Sequence, residues 1–366
     1  FSRPAHTWRI HGISDEFCRK FAVGHSIRDW SLSCPDAVFF PYSSMKGLAP
    51  NSKVKEELAL LWPLRRLLLN RPVFGGQKYI DVGRCWYEYH QIPLDRLESP
   101  LSIAFAFVAT HNHFILDLGG KVFNRSAPII KLKEQYDEDD HLALLGLLNS
   151  STVGLWCRLV MFLKGGDQMG DGARLSKTPW EDRLEYAGNL LKMLPVADLD
   201  RAKSTLLRLV QKTEQTVKTM QDMAPDKALA RVLQDNATNS AQLRDIQHQT
   251  TTDLECLRHT LVSLQEEMDW RVYGLYGLPT LTAESMDEVL VPVAPEHRPF
   301  EVRLAREVDD DLSASIWFQR HQRTPPADVG GPLADLYRRR LNLIEQHKEL
   351  QLLETPENKR RWSPRD

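Results

Sequence analysis

The sequence predicts an α+β protein: a mixed-sheet domain with a packed helix, then a helical hairpin spacer, then a small α+β C-terminal module. Three observations predict it. Residues 103–132 read IAFAFVATHNHFILDLGGKVFNRSAPIIKL, rich in β-branched and aromatic residues and broken by Gly119-Gly120, the pattern of a strand, a turn and a second strand. After Asp139 and Asp140 the apolar residues switch to helical spacing through Ala143, Leu144, Leu147, Leu148, Ser151, Leu155, Leu159 and Phe162, so one buried helix is expected to lie against the sheet. From about Asp198 the composition shifts to long polar helices almost without aromatics.

In chain order, FAVGHSIRDW at 21–30 reads as a strand-edge hairpin and DAVFFPY at 36–42 as a short strand. Val54, Leu58, Leu61, Leu64 and Leu68 give Lys53–Asn70 a helical period, and Pro63 inside it calls for a kink or two short helices. Arg71-Pro72 and Gly75-Gly76 mark a loop ahead of Cys85-Trp86-Tyr87-Glu88-Tyr89, which reads as an aromatic strand or helix end. Pro93 and Pro100 then punctuate the approach to the central unit. A loop with four glycines follows at 165–172, then Pro179-Trp180 to Pro195.

Leu254, Leu257, Leu261, Leu264 and Met268 alternate three and four apart, with Leu243 in the same register, which is a coiled-coil seam. Pro225 separates this helix from a preceding one, so an antiparallel pair inside one protein is expected. Gly274, Gly277 and Pro279 end the helical section. FEVRLA at 300–305 reads as a strand, Leu312–Arg320 and Leu333–Leu353 as amphipathic helices, and Lys359-Arg360-Arg361 as a basic tail.

With 366 residues, 42% hydrophobic and 26% charged, the chain has room for two or three domains and is neither disordered nor collagen-like. The formal charge of −2 hides an asymmetry. Residues 1–135 carry 18 Lys and Arg against 12 Asp and Glu, which leaves 29 against 37 for the rest, so the basic first third is where a polyanionic partner is sought. Five cysteines without a CxxC pair suggest free thiols in a reducing cytoplasm. The first thirty residues lack an apolar core behind a basic start, so no signal peptide is read there. The chain opens on Phe1 instead of Met, as a fragment or processed product would. Leu142–Leu163 has the length of a membrane span, but Asn149-Ser150-Ser151-Thr152 and Arg158 inside it favour burial in protein, and no membrane is expected.

Motifs for chemistry are weak. In His111-Asn112-His113 only the two histidines share a face if the segment is a strand, and polar strand residues are the default over a metal site. Asp137-Glu138-Asp139-Asp140 would suit a divalent cation, and a nuclease reading would use it, yet acids directly before a helix are what capping and the helix dipole favour. The glycine loop lacks a phosphate-loop ending. There is no GxGxxG after a strand, no GxSxG turn, no Cys/His pair and no zinc spacing, so no catalytic, cofactor or metal residue is assigned. What remains is a distribution of cations and hydrogen-bonding side chains. Arg71, Lys78 and Arg84 lie in one loop region, Lys121, Asn124, Arg125, Ser126 and Lys131 on the hairpin expected at Gly119-Gly120, and Lys164, Arg174 and Lys177 past the helix. Lys and Arg neutralise phosphates while Arg, Asn and Ser also read base edges, so duplex DNA is a candidate partner beside the default of a solvated basic surface.

Several stretches carry a resemblance: IRDW at 27–30, LALLWPLRRLLLNRPVFGG at 58–76, WYEYHQI at 86–92, PLSIAFAFVATHNHFILDLGGKVFNRSAPIIKL at 100–132, DDHLALLGLLNSSTVGLWC at 139–157, LQEEMDWRVYGLYGL at 264–278 and PENKRRW at 356–362. Together they resemble the C-terminal half of the PglX family, the adenine-specific DNA methyltransferases of phage growth limitation and bacteriophage exclusion (BREX) systems, with the second BREX type closest. The resemblance implies a target-recognition domain at 1–195, a helical spacer at 196–278 and a C-terminal module at 279–366. It also implies work beside a catalytic methyltransferase domain and other BREX proteins in the cytoplasm. Family members hold S-adenosylmethionine and the target adenine with a glycine-bearing motif and an Asn-Pro-Pro-Tyr motif. Neither occurs here, so the cofactor is expected in a catalytic half outside this chain, and methyl transfer is not expected of this segment alone. The alternative is a protein-interaction subunit of a phage-defence assembly, suggested by the acidic remainder and the coiled-coil seam.

Overall fold

In the computed structural model the described residues are 2–43, 47–92, 100–164, 182–224, 227, 240–280, 291–307, 331–359 and 361–362. Among them, helices and several small mixed sheets give the α+β class that the patterning predicts. One four-stranded sheet runs in the order Ser2–Pro4, Asp36–Phe39, Cys18–Ala22, Lys121–Phe123, the last pair parallel and the others antiparallel. A second sheet sets Ser102–Phe105 between Phe114–Asp117 and Ile129–Ile130, both antiparallel to it.

The Gly119-Gly120 turn is real but does not close a hairpin. Both glycines have positive φ, +91° and +74°, a conformation that side chains resist. They re-aim the chain out of one sheet and onto the edge of the other. There Lys121–Phe123 pairs with Cys18–Ala22, Asn124 N–H donates to the Ala22 carbonyl at 3.1 Å, and Gly24 N–H donates to Ser126 Oγ at 2.8 Å. A Cβ on Gly24 would collide with the Ser126 carbonyl, so this close approach needs glycine.

The single helix expected after Asp140 is two, Glu138–Leu148 and Ser151–Val160, bent by 65°. The break has a local cause. Asn149 gives its amide to the Phe114 carbonyl (3.0 Å) and receives Phe114 N–H (3.1 Å), acting as an extra strand residue, and Ser150 Oγ caps the second helix by accepting Val153 N–H. As a result Leu159 and Phe162, which the periodicity turned toward the sheet, are exposed at 75% and 70%. No single helix among the described residues is long and apolar enough to cross a membrane.

Pro63 is accommodated as the spacing requires, by two short helices, Lys55–Leu61 and Arg65–Leu69, around a 3-10 turn. Cys85–Tyr89 forms turns instead of a strand, and its aromatics act as ties, with Tyr87 donating to the Ala49 carbonyl and Tyr89 to that of Phe39. FEVRLA is helical, inside Pro299–Glu307. Its alternation mimics a strand, but proline at the first helical position is preset for a helix, and Phe300, Glu301, Val302 and Ala305 are all buried by what surrounds them. The expected helix at Leu312–Arg320, the glycine loop 165–172 and Pro179-Trp180 lie outside the described residues. The last expected helix is present as Gly331–Gln346 and Lys348–Leu353.

The coiled-coil seam lies on a 36-residue helix, Ser240–Leu275. It packs antiparallel to Lys203–Asp222: Tyr276 donates to the Pro195 carbonyl near one end, while Gln211–Thr216 lie opposite Thr260–Leu264. Its two halves differ. Leu243 and Ile246 are exposed, whereas residues from Leu261 to Tyr273 are nearly all buried. Leu261, Leu264, Met268 and Val272 share one core with Ile103, Phe105 and Phe114 of the sheet, Leu145 and Val153 of the bent helix pair, and Leu206 and Val210. Each fully buried side chain of this kind contributes about 1.5–3 kcal/mol. The helix pair is therefore fixed to the sheet by a common core. Lys359 and Arg361, read as a solvated basic tail, are inserted into the protein at 1% and 4% exposure.

Candidate nucleic-acid interface

Three groups of cations arise on separate elements. On the edge strand, Lys121 stands directly opposite Lys20 in the parallel register, so the two side chains share a face about 5 Å apart at the backbone. Like charges so placed repel. Asp117, buried at the end of the preceding strand in the other sheet, offsets one of them by pairing with the Lys121 ammonium. The Cys34 thiol is pushed up by burial, with Lys121 and Lys20 acting to lower it and Asp117 to raise it. Asn124 Oδ1 accepts from Ser126 N–H (2.8 Å) and Ser126 Oγ (2.6 Å), forming an Asx turn that leaves Arg125 exposed at its tip. The structure thus brings Lys121, Asn124 and Arg125 together and adds Lys20. Its signal in the sequence was the exposed position in CRKFA, recognisable only once the strand register is known.

In the second group, Arg71 and Arg84 both lie over the Tyr79 ring, their guanidinium carbons 4.3 and 5.0 Å from its centre. Arg71 donates to the carbonyls of Leu68, Trp86 and Glu88, all at 2.9 Å, and Arg84 pairs with Glu88 and donates to the His90 carbonyl. These two hold the loop in shape. Lys78, between them, is exposed. In the third group Lys164 pairs with Glu185 at 2.6 Å across the Phe162–Leu163 and Leu184–Glu185 strands, and Lys131 is half-buried after Ile130. Arg174 and Lys177 lie outside the described residues.

The two histidines do meet. His111 Nε2 lies 3.0 Å and His113 Nδ1 3.3 Å from Asp29 Oδ1, and the donor atoms of the three residues fall within 4.8 Å of one another. However, the Arg361 guanidinium reaches the same oxygen at 2.8 Å, and Asp29 N–H donates to His113 Nδ1 at 3.0 Å. A cation is thus already supplied by the chain, and one imidazole lone pair is engaged. Burial holds His111 down to about 3, aided by His113 and opposed by Asp29, so at neutral pH it is an uncharged donor to the carboxylate. Burial works against ionised Asp29 but is outweighed by the hydrogen bond from His111 and the charge of Arg361, and its carboxyl stays well below the usual range. The cluster is a pin between the start and end of the chain.

The acidic run before the helix is a cap. Asp137 accepts Asp140 N–H and Asp140 accepts Asp137 N–H, both at 3.0 Å, and Lys203 pairs with Asp140 at 2.6 Å. Those two carboxylates are committed to the helix start.

Behind the surface lies an ionic network that the sequence reading missed. Lys359 Nζ sits 3.0 Å from Glu266, 3.0 Å from Asp269 and 3.1 Å from Glu354, all with side chains fully buried. Arg298 adds a 2.7 Å pair to Glu266, Arg340 pairs with Glu267 at 2.8 Å, and Asp269 accepts from Ser151 N–H (2.8 Å) and Oγ (2.5 Å). Although burial opposes it, Lys359 and Arg298 hold Glu266 down to about 2. The signal was present in LQEEMDW, where four polar residues interrupt the seam at its most apolar point.

The family model for a domain of unknown function, DUF7008, matches residues 261–366 and so begins where the long helix becomes buried. The adenine-specific methyltransferase PglX of Streptomyces coelicolor (strain ATCC BAA-471 / A3(2) / M145) is 37% identical to this chain over 367 residues, which is 98% of this chain and 29% of that relative. The chain is thus similar to the C-terminal portion of PglX and spans about three tenths of its length.

Proposed function

We propose, with similarity over 98% of the chain to the C-terminal portion of an adenine-specific methyltransferase as the premise, that this chain is the DNA target-recognition portion of a BREX-type N6-adenine DNA methyltransferase acting in phage defence. It docks on duplex DNA and presents the site, while a catalytic portion carrying S-adenosylmethionine performs the transfer.

The observation that carries the reading is the edge-strand group Lys20, Lys121 and Arg125. Two lysines face each other across one register position, one of them paired with the Asp117 carboxylate, and an exposed arginine follows on a turn fixed by Asn124 and Ser126. A residual positive charge on a rigid edge suits phosphate oxygens, which position a protein on DNA without reading sequence.

Fluorescence anisotropy of the full chain with a mixed-sequence duplex tests it. Affinity is expected to fall steeply with salt. Lys20→Ala and Arg125→Ala should each lower the slope of log K against log salt by about 1. Lys121→Ala should weaken binding as well, because it also frees the Asp117 carboxylate. Affinity that does not change between low and high salt would sink the reading.

A second reading, a protein-interaction role in a phage-defence assembly, is favoured by the half of the long helix that exposes Leu243 and Ile246. Pull-down of defined partner proteins that is lost on Leu243→Lys, with no duplex affinity, would favour it over the first.

A further inference from the structure

Residues 71–84 form a finger that the docking reading leaves unused. Pro72 bridges to Lys78, Val73 N–H donates to the Gln77 carbonyl at 2.8 Å, and Gly76 N–H closes back on Val73 at 3.1 Å. The tip is Phe74-Gly75-Gly76. Both glycines have positive φ, +93° and +84°, and open space where a side chain would sit, while Phe74 is 77% exposed with the His90 ring 5.0 Å away. The base is rigid, because Arg71 and Arg84 lie over Tyr79 and tie to the carbonyls of Trp86, Glu88 and His90. Tyr79 N–H and Ile80 N–H continue the tie to Arg71 and Leu69. An exposed phenylalanine is thus held out on a stiff support.

Charge identifies what it meets. Residues 62–84 hold five cations, Arg65, Arg66, Arg71, Lys78 and Arg84, against one acid, Asp81. Three of the five, Arg65, Arg66 and Lys78, are exposed, and Asp81 is engaged by Lys78 N–H at 3.0 Å. A surface that is both cationic and aromatic, with a side-chain-free tip permitting close backbone approach, matches a polyanion with a stacked apolar interior.

We propose that Phe74 is a nucleic-acid wedge, entering the base stack of a duplex while Lys78, Arg65 and Arg66 hold the phosphates beside it. The proposal rests on the reading of this chain as a duplex-docking segment. It adds to that reading that docking opens the base stack, the step that an enzyme acting on a base within a duplex requires.

The test compares the full chain on a paired duplex and on the same duplex with a central mismatch, where unstacking costs less. Wild type is expected to bind the mismatched duplex about tenfold more tightly. Phe74→Ala should bind both alike, Phe74→Trp should keep the preference, and Lys78→Ala should weaken both equally. Phe74 is exposed, so circular dichroism of Phe74→Ala should match wild type. The wedge is overturned if wild type shows no preference, or if Phe74→Ala retains it. It is also overturned if the substitution abolishes binding to phosphatidylserine vesicles and leaves the DNA preference intact. Failure of the docking reading itself would appear differently, as no binding to either duplex, and would overturn both.

Discussion

Arg361 and Asp29, 332 residues apart in the chain, meet at 2.8 Å beside two buried histidines. The same guanidinium also donates to the Asn112 carbonyl and to Asn149 Oδ1, so one side chain near the C-terminus touches the hairpin at Ile27–Leu32, the histidine segment and the bend between the two core helices. Removing one partner of such a contact leaves the other buried without compensation, which is costlier than never having built the pair.

Arg361→Ala should therefore destabilise the protein by about 3 kcal/mol, and Asp29→Asn by a similar amount. The double substitution should cost clearly less than the two added together. Urea unfolding of the four proteins measures this. Strict additivity would mean that the contact is incidental to the fold.

Glu214, on Lys203–Asp222, should give stability an unusual dependence on pH. Burial, then the nearby Glu138 carboxylate, raises its carboxyl from 4.5 to about 7. A group with a raised folded-state value binds its proton more tightly when folded, so its contribution is complete below about pH 4.5 and is lost as pH rises to about 7. Glu214→Gln should remove that decline and stabilise the protein at pH 8 by on the order of 1–2 kcal/mol, a figure reduced for the remaining exposure. Thermal midpoints at pH 5 and pH 8 check it. A difference between the two pH values as large in the variant as in wild type would count against it.

Gly24 supports the edge strand from beneath. Gly24→Ala must push the Ser126 carbonyl away, breaking the Gly24–Ser126 hydrogen bond and loosening the turn that carries Arg125. About 1–3 kcal/mol of stability should be lost. Hydrogen exchange should rise at Asn124 and Ala127, whose N–H groups bond to Ala22 and Asn124. Exchange no faster than in wild type at these amides would refute the proposed support.

Among the candidate site residues, those readable from sequence are those whose role depends on near neighbours. The cap of Asp137 and Asp140 is closed within three residues, and local chemistry predicts such geometry; Asn124, read as a base-edge contact, instead closes an Asx turn on Ser126. Arg71 and Arg84 were legible as cations, but their stacking on Tyr79 was not, because it depends on how the loop folds back.

Local pattern was enough for the α+β class, the antiparallel helix pair, a break at Pro63 and a helix capped by the acidic run 137–140, since period, proline and capping act over one or two turns. Tertiary structure alone decided that the chain after Gly120 joins a different sheet, that the core helix breaks at Asn149, that FEVRLA is a helix, and that Lys359 and Arg361 lie inside. Each of these depends on partners many residues away, such as Phe114 for Asn149 and Glu266 and Asp269 for Lys359. A charge that would otherwise stay in water becomes stable in the interior only when its counter-charges arrive there with it, and that meeting is a property of the folded chain.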